Sequence, residues 1–257
     1  SCRVYRAIAS PALALLVLGS HGAWAQSPRP APASAPPAPV RDGVPAAVGS
    51  GASTAALRRL ADQRFASGSI NGAIQIWSGL IAEQRDLEPC LYNRAQAYLI
   101  LAQLPLAQLD LDRLVTLQRQ RPNASTFLLR GIVNNELGRT AQALADFDRA
   151  LTIDANALVY ANRALAYQRM GQFDRAEADL QLAVRQDPSA SNLHNLAVVQ
   201  RQLGRPEACI SNASLVIRAK PTFAPAYTVR GLCFYALRRY QEAIADFLRS
   251  TTINPAQ

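Results

Sequence analysis

A small residue recurs along this chain at Ala61, Ala95, Gly131, Ala164, Ala197 and Gly231, at steps of 34, 36, 33, 33 and 34 residues. A period near 34 is the length of two short helices and their connections, a unit too small to bury its own apolar face. Such units are stable only when stacked, so the period restricts the chain to an all-α repeat architecture before composition is considered. The fourth unit shows the pattern best. Ala157, Tyr160, Ala164 and Tyr167 fall on one helical face, and Ala176, Leu180, Ala183 and Val184 form the matching stripe of a second helix. Gly171 stands at the reversal, where left-handed backbone can leave the first helix, and Pro188 at the junction cannot continue a helical ladder. In the fifth unit Pro206, just after Gly204, suits a first helical turn.

The other units repeat this order with substitutions. The sixth has Tyr227, Gly231, Phe234, Ala243, Phe247, Ser250 and Pro255, with Arg238 replacing the turn glycine; the third has Phe127, Gly131, Gly138, Ala143, Phe147 and Ala150, with Asn134 at the aromatic position. The fifth has Leu193, Ala197, Gly204, Cys209, Ala213 and Pro221, with Gln200 at the aromatic position. The second keeps Leu91, Ala95, Tyr98, Ala107, Leu111, Leu114 and Pro122 but has Ala102 at the turn and a longer step to the third. The first has Ala61, Gly68, Ala73, Trp77 and Leu80, with Phe65 displaced by one position. This order of bulky, small and aromatic residues in one helix, then small and aromatic residues in the next, resembles the tetratricopeptide repeat family over about residues 54–257. The resemblance implies a right-handed superhelical solenoid of about six stacked helix-turn-helix repeats within a domain at 51–257.

An arginine and an aspartate come and go together. Arg94, Arg130, Arg163 and Arg230 immediately precede the small marker, and Asp110, Asp146, Asp179 and Asp246 follow sixteen residues later. The fifth unit has Leu196 and Asn212 instead, and the first has Leu60 and Ile76. Joint loss predicts a structural ion pair between the two helices of a hairpin, since a planar guanidinium can grip a carboxylate with two donors. A row of ligand-binding arginines is the weaker reading, because the aspartates would cancel it.

Ahead of the repeats, residues 1–25 place Arg3 and Arg6 before an apolar run from Ala12 to Leu18 and end on Ala23-Trp24-Ala25. That order predicts a cleaved secretory signal and export to a bacterial periplasm or equivalent lumen, the alternative being an uncleaved membrane anchor. Residues 26–50 hold seven prolines and almost no bulky apolar residue, so they read as an extended linker. The formal charge of +9, from 27 basic and 18 acidic residues, permits acidic partners without specifying one. Cys2, Cys90, Cys209 and Cys233 lack metal-site spacing. The favoured reading makes the last three separate buried residues; a Cys209–Cys233 disulfide is the alternative, because the repeat register brings their helices together.

No catalytic constellation emerges. His194 is the one histidine outside the leader, and no nucleophile elbow, phosphate loop or metal-ligand cluster accompanies it. The expectation is a non-catalytic scaffold or adaptor without cofactor or metal, or alternatively a chaperone-like protein of the periplasm. Interspersed acids argue against a nucleic-acid partner. The resemblance implies that an extended peptide or partner helix is held in a concave groove lined mainly by first helices. Carried onto this chain, that groove comprises Arg58, Asp62, Tyr92, Asn93, Gln96, Leu99, Leu128, Leu129, Asn135, Asn162, Gln168, Arg169, His194, Asn195 and Arg201. Asn93, Asn162 and Asn195 share one repeat position and would serve a partner's backbone. Leu237, Tyr240, Ile244, Phe247 and Leu248 predict an apolar edge on the sixth hairpin, suited to a second copy or to another protein, and assembly of an envelope or membrane complex is the setting expected for the scaffold as a whole.

Overall fold

The structure is a computed structural model that describes residues 52–255; the segments read as leader and linker lie outside the described residues. The described residues form twelve helices and no strand, paired into six hairpins. The hairpins are α1 (Thr54–Ala66) with α2 (Ile70–Ala82), α3 (Leu87–Ile100) with α4 (Leu104–Leu117), and α5 (Ala124–Glu136) with α6 (Thr140–Ile153). They continue with α7 (Ala157–Arg169) and α8 (Phe173–Gln186), α9 (Ala190–Gln202) and α10 (Pro206–Ala219), and α11 (Ala224–Ala236) and α12 (Tyr240–Ile253). This is the all-α class of helix-turn-helix repeat solenoids.

The hairpins gather into two compact units, one ending at Arg119 and the other beginning at Gln120. The boundary between the units falls within the longest step of the repeat, 36 residues from Ala95 to Gly131. In the first unit α1 packs on α2, α2 on α3 and α3 on α4; in the second each helix from α5 to α12 packs on the next.

Small residues let the helices of a hairpin approach, and one large side chain from the second helix fills the space. A Cβ on Gly131 would lie 2.6 Å from a ring carbon of Phe147, and one on Gly231 2.7 Å from Phe247. The other markers are alanines, opposite Trp77, Leu111, Leu180 and Ala213 at the phenylalanine position. Phe65, one position out of register, packs against Trp77 with ring centroids 5.6 Å apart, so the shifted aromatic still closes the first core.

Left-handed residues end the first helices. At Gly138 the reversal is closed by Arg139 N–H donating to the Asn134 carbonyl at 2.8 Å. Ala102 and Arg238 adopt the same conformation at φ 55° and 59°, and for an L-residue that costs about 1–2 kcal/mol.

Candidate protein-binding surface

The four arginine–aspartate pairs tie the hairpins. Arg94 donates Nε and Nη2 to both carboxylate oxygens of Asp110 at 2.8 and 2.6 Å. Arg163 reaches Asp179 twice at 2.7 Å, and Arg230 reaches Asp246 at 2.8 and 2.7 Å. Arg130 Nη2 meets Asp146 at 2.6 Å, and Asn134 Nδ2 adds a bond to the second oxygen at 2.9 Å. The aspartate side chains are 4–7% exposed, so each charge requires its partner. The hydrogen bonds that Arg163 donates to Asp179 hold its proton more firmly than usual, against the opposing effect of burial.

Arg94, Arg163 and Arg230 also reach the preceding hairpin. Nη1 of Arg94 donates to Ser78 on α2, that of Arg163 to Asp148 on α6, and that of Arg230 to Ser214 on α10, at 2.8, 2.6 and 3.0 Å. Each guanidinium therefore joins its own hairpin to the preceding one. All three acceptors lie seventeen residues after their own unit's marker.

Hairpin five solves the same problem with other residues. Asn212, in the aspartate position, donates to Gln200 Oε1 at 2.8 Å, and Gln200 donates to Glu177 of the preceding hairpin at 3.3 Å. Glu177, 5% exposed, also pairs with Arg205. Gln200 and Asn134, which stand where other hairpins have an aromatic, thus bond the residue facing them on their own second helix.

The residues expected to line a groove separate into several groups. In the first unit Arg58 donates to Asp86 at 2.6 Å and Asn93 to Asp62 at 3.3 Å, with Tyr92 beside them on α3. Burial raises the Asp62 carboxyl above its ordinary value, while Arg58 and Asn93 pull the other way. Gln96, Leu99, Leu128, Leu129, Asn135, Asn162 and Asn195 are buried, so little of each side chain is open to solvent in the chain on its own. Asn162 closes onto the Leu158 carbonyl of its own helix at 2.8 Å, which leaves its amide committed. Arg169 pairs with Glu136 at 2.7 Å and with the Asn135 carbonyl. His194 packs edge-on against Phe223, centroids 5.2 Å apart, and Arg201 is exposed.

Another row of apolar residues runs along the first helices of the second unit. Ile132, Leu165, Val198 and Leu232 each follow their marker by one residue and are partly accessible. The equivalent positions in the first unit are Asp62 and Gln96. This row was readable from the marker register, which the family-derived assignment bypassed. Near it Asn135 Oδ1, Gln168 Nε2 and Asn195 Nδ2 are buried without a hydrogen-bond partner among the described residues. An amide left so is costly and is satisfied when a partner's backbone supplies the missing group.

Cys209 and Cys233, which the favoured reading kept apart, form a disulfide between α10 and α11, with Cα atoms 6.4 Å apart. The adjacent packing of those two helices brings the sulfurs together. Cys90 is a buried free thiol, and burial pushes its pKa up to about 12. Among the described residues, no group of three or more His, Cys, Asp or Glu side chains is placed to hold a metal ion, and no helix is long and apolar enough to cross a membrane.

Residues 157–190 and 224–257 each match a tetratricopeptide repeat family model. Both segments are tetratricopeptide repeats. Solved structures extend that likeness across more of the repeat region. The C-terminal part of a TPR repeat-containing protein from Cytophaga hutchinsonii aligns with this chain at TM-score 0.63 and 18% identity, covering 76% of this chain and 78% of that one. A tetratricopeptide repeat protein from Parabacteroides merdae aligns at 0.61 and 19%, covering 78% of each. A chain of the APC/C hetero-tetramer Cut9–Hcn1 aligns at 0.67 and 16%, covering 79% of this chain and 40% of that one. At these identities the likeness is one of fold. A search of curated proteins gave no match.

Proposed function

We propose that this protein is a non-catalytic scaffold whose second unit holds an extended segment of another polypeptide along the first helices of its hairpins. The observation that carries the reading is the pairing of an apolar row, Ile132, Leu165, Val198 and Leu232, with three buried amide groups that lack partners among the described residues. Apolar side chains supply area, and unpaired amides reward a peptide backbone while discriminating little among side chains. Arg201, exposed on the same helix as Val198, favours an acidic residue at one end of that segment. The structural likeness to a chain of the hetero-tetramer Cut9–Hcn1 agrees with a role in assembly.

Binding of the full chain to a panel of extended peptides tests this. Peptides with alternating apolar side chains should bind, and Val198→Asp or Leu232→Asp should weaken them at least about tenfold, the equivalent of roughly 1.4 kcal/mol. Equal binding by these variants, or photo-crosslinks that map to second helices, would overturn the proposal.

We further propose export to an oxidising compartment, with assembly of an envelope or membrane complex as the setting. Support comes from the leader-like order of residues 1–25 and from the Cys209–Cys233 bond, since structural disulfides persist where thiols are oxidised. Peptide mapping of protein from its native source should recover Cys209 and Cys233 as one linked peptide, and the mature N-terminus should begin at Gln26. Free thiols at both positions would argue for a reducing compartment.

A further inference from the structure

We propose that the segment held by the second unit is a polyproline II peptide with an apolar side chain at every third residue. The inference rests on the peptide-binding reading above and adds the conformation and sequence period of the ligand. Ile132, Leu165, Val198 and Leu232 occupy one repeat position on α5, α7, α9 and α11, so each hairpin offers one apolar anchor. Among these first helices α5 touches α7 and α9 touches α11, which puts successive anchors one helix-packing distance apart, about 8–10 Å. A polyproline II chain rises about 3.1 Å per residue with about three residues per turn, so three residues advance about 9.3 Å and return the side chain to the same face. Every anchor then meets a side chain. A β-strand also covers the step in about three residues, at roughly 3.3 Å each, but its side chains alternate, so every second anchor would meet the wrong face of the ligand.

The amides beside the row favour the same conformation. Asn135 and Gln168 stand one turn after their anchors and Asn195 one turn before its own, so the unpartnered groups flank the row on both sides. Gln168 Nε2 and Asn195 Nδ2 lack acceptors, and Asn135 Oδ1 lacks a donor, among the described residues. Asn135 and Asn195 are each only 6% exposed, so water relieves them little. A helical ligand spends its carbonyls on its own amides, whereas polyproline II makes no internal hydrogen bond and presents every carbonyl outward. Proline opposite Gln168 or Asn195 keeps the carbonyl those donors need; the residue opposite Asn135 must retain the N–H that proline lacks. Charge adds a further selection. Arg169 is answered by Glu136 at 2.7 Å, but Arg201, one turn after Val198, has no ion-pair partner among the described residues. An acidic residue beside the one seated on Val198 supplies it. A ligand of about ten residues, apolar at its first, fourth, seventh and tenth, spans the four hairpins.

Fluorescence anisotropy with the full chain and labelled decapeptides tests this. The peptides share one composition, with four leucines placed either at every third residue or at alternate residues, and with prolines between them that also bar a helix. The alternating peptide seats two anchors and should bind; the period-three peptide seats all four and should bind at least about tenfold tighter. Replacing its prolines by glycine, with the leucines kept, should weaken it about threefold or more, because a flexible chain must then be ordered on binding. Gln168→Met should weaken the period-three peptide about threefold or more by removing a donor to its backbone, with far-UV circular dichroism unchanged. Equal or tighter binding by the alternating peptide would overturn the proposed conformation and leave the peptide-binding reading standing, as would indifference to the loss of proline. Failure of every peptide to bind would remove both.

Discussion

The first unit and the second unit use the same hairpin but leave different surfaces. In the first, the position after the marker is Asp62 or Gln96, Arg58 answers Asp86, and the connection into α3 holds Gln84 and Asp86 at positive φ. In the second, that position is apolar in all four hairpins, every first helix but α11 ends on a left-handed glycine, and a disulfide joins two hairpins. Polar replacement in the first unit spares the scaffold, because the marker and its facing side chain still pack. The contrast teaches that the hairpin is specified by few positions, which leaves the remaining face free to differ between units.

The largest expected break is Arg163→Met, which strands Asp179 in the second unit and should cost about 3–5 kcal/mol in chemical denaturation. Arg163→Leu with Asp179→Asn, the pair that hairpin five carries at these positions, should cost less than the sum of the single changes. Next, reduction of Cys209–Cys233 should remove about 2–4 kcal/mol, and hydrogen exchange should quicken in α9 to α12 while α1 to α4 keep their protection. Gly131→Ala should cost about 1–3 kcal/mol by pressing on Phe147, whereas Ala95→Gly in the first unit lacks that clash and should show only the intrinsic helix penalty of about 1 kcal/mol. Arg238→Gly and Ala102→Gly should each gain up to about 1 kcal/mol by relieving left-handed backbone, one in each unit, as thermal melts would register. The smallest effect concerns pH. Because burial raises the Asp62 carboxyl above its unfolded value of 3.8, the folded state binds that proton more tightly and the cost of the charge is present above the folded pKa. Asp62→Asn should therefore stabilise the first unit at neutral pH, with the gain fading as acid protonates the wild-type carboxyl; a gain that grew on acidification would contradict this.

The marker period made the hairpins legible, because stacking demands a small residue at every close approach. The Arg163–Asp179 type of pair was legible for a similar reason, since both members vanish together at Leu196 and Asn212. The replacement in hairpin five was not, because Gln200, Glu177 and Arg205 lie at offsets that repeat comparison does not align. The candidate surface was read least well. Family register assigned Asn162 to a partner's backbone, but its amide nitrogen had a nearer acceptor in the Leu158 carbonyl. The division at Arg119 left only the long 36-residue step as its trace.

The third donor of Arg94, Arg163 and Arg230 has a mechanical consequence. A hairpin pulled away from its predecessor must break both apolar contact and a charged tether, so damage at these joints spreads instead of staying local. Between hairpins four and five the tether is Glu177, held by Gln200 and by an Arg205 that is half exposed where the other arginines are mostly buried, and under force or protease that joint is where the second unit should come apart first.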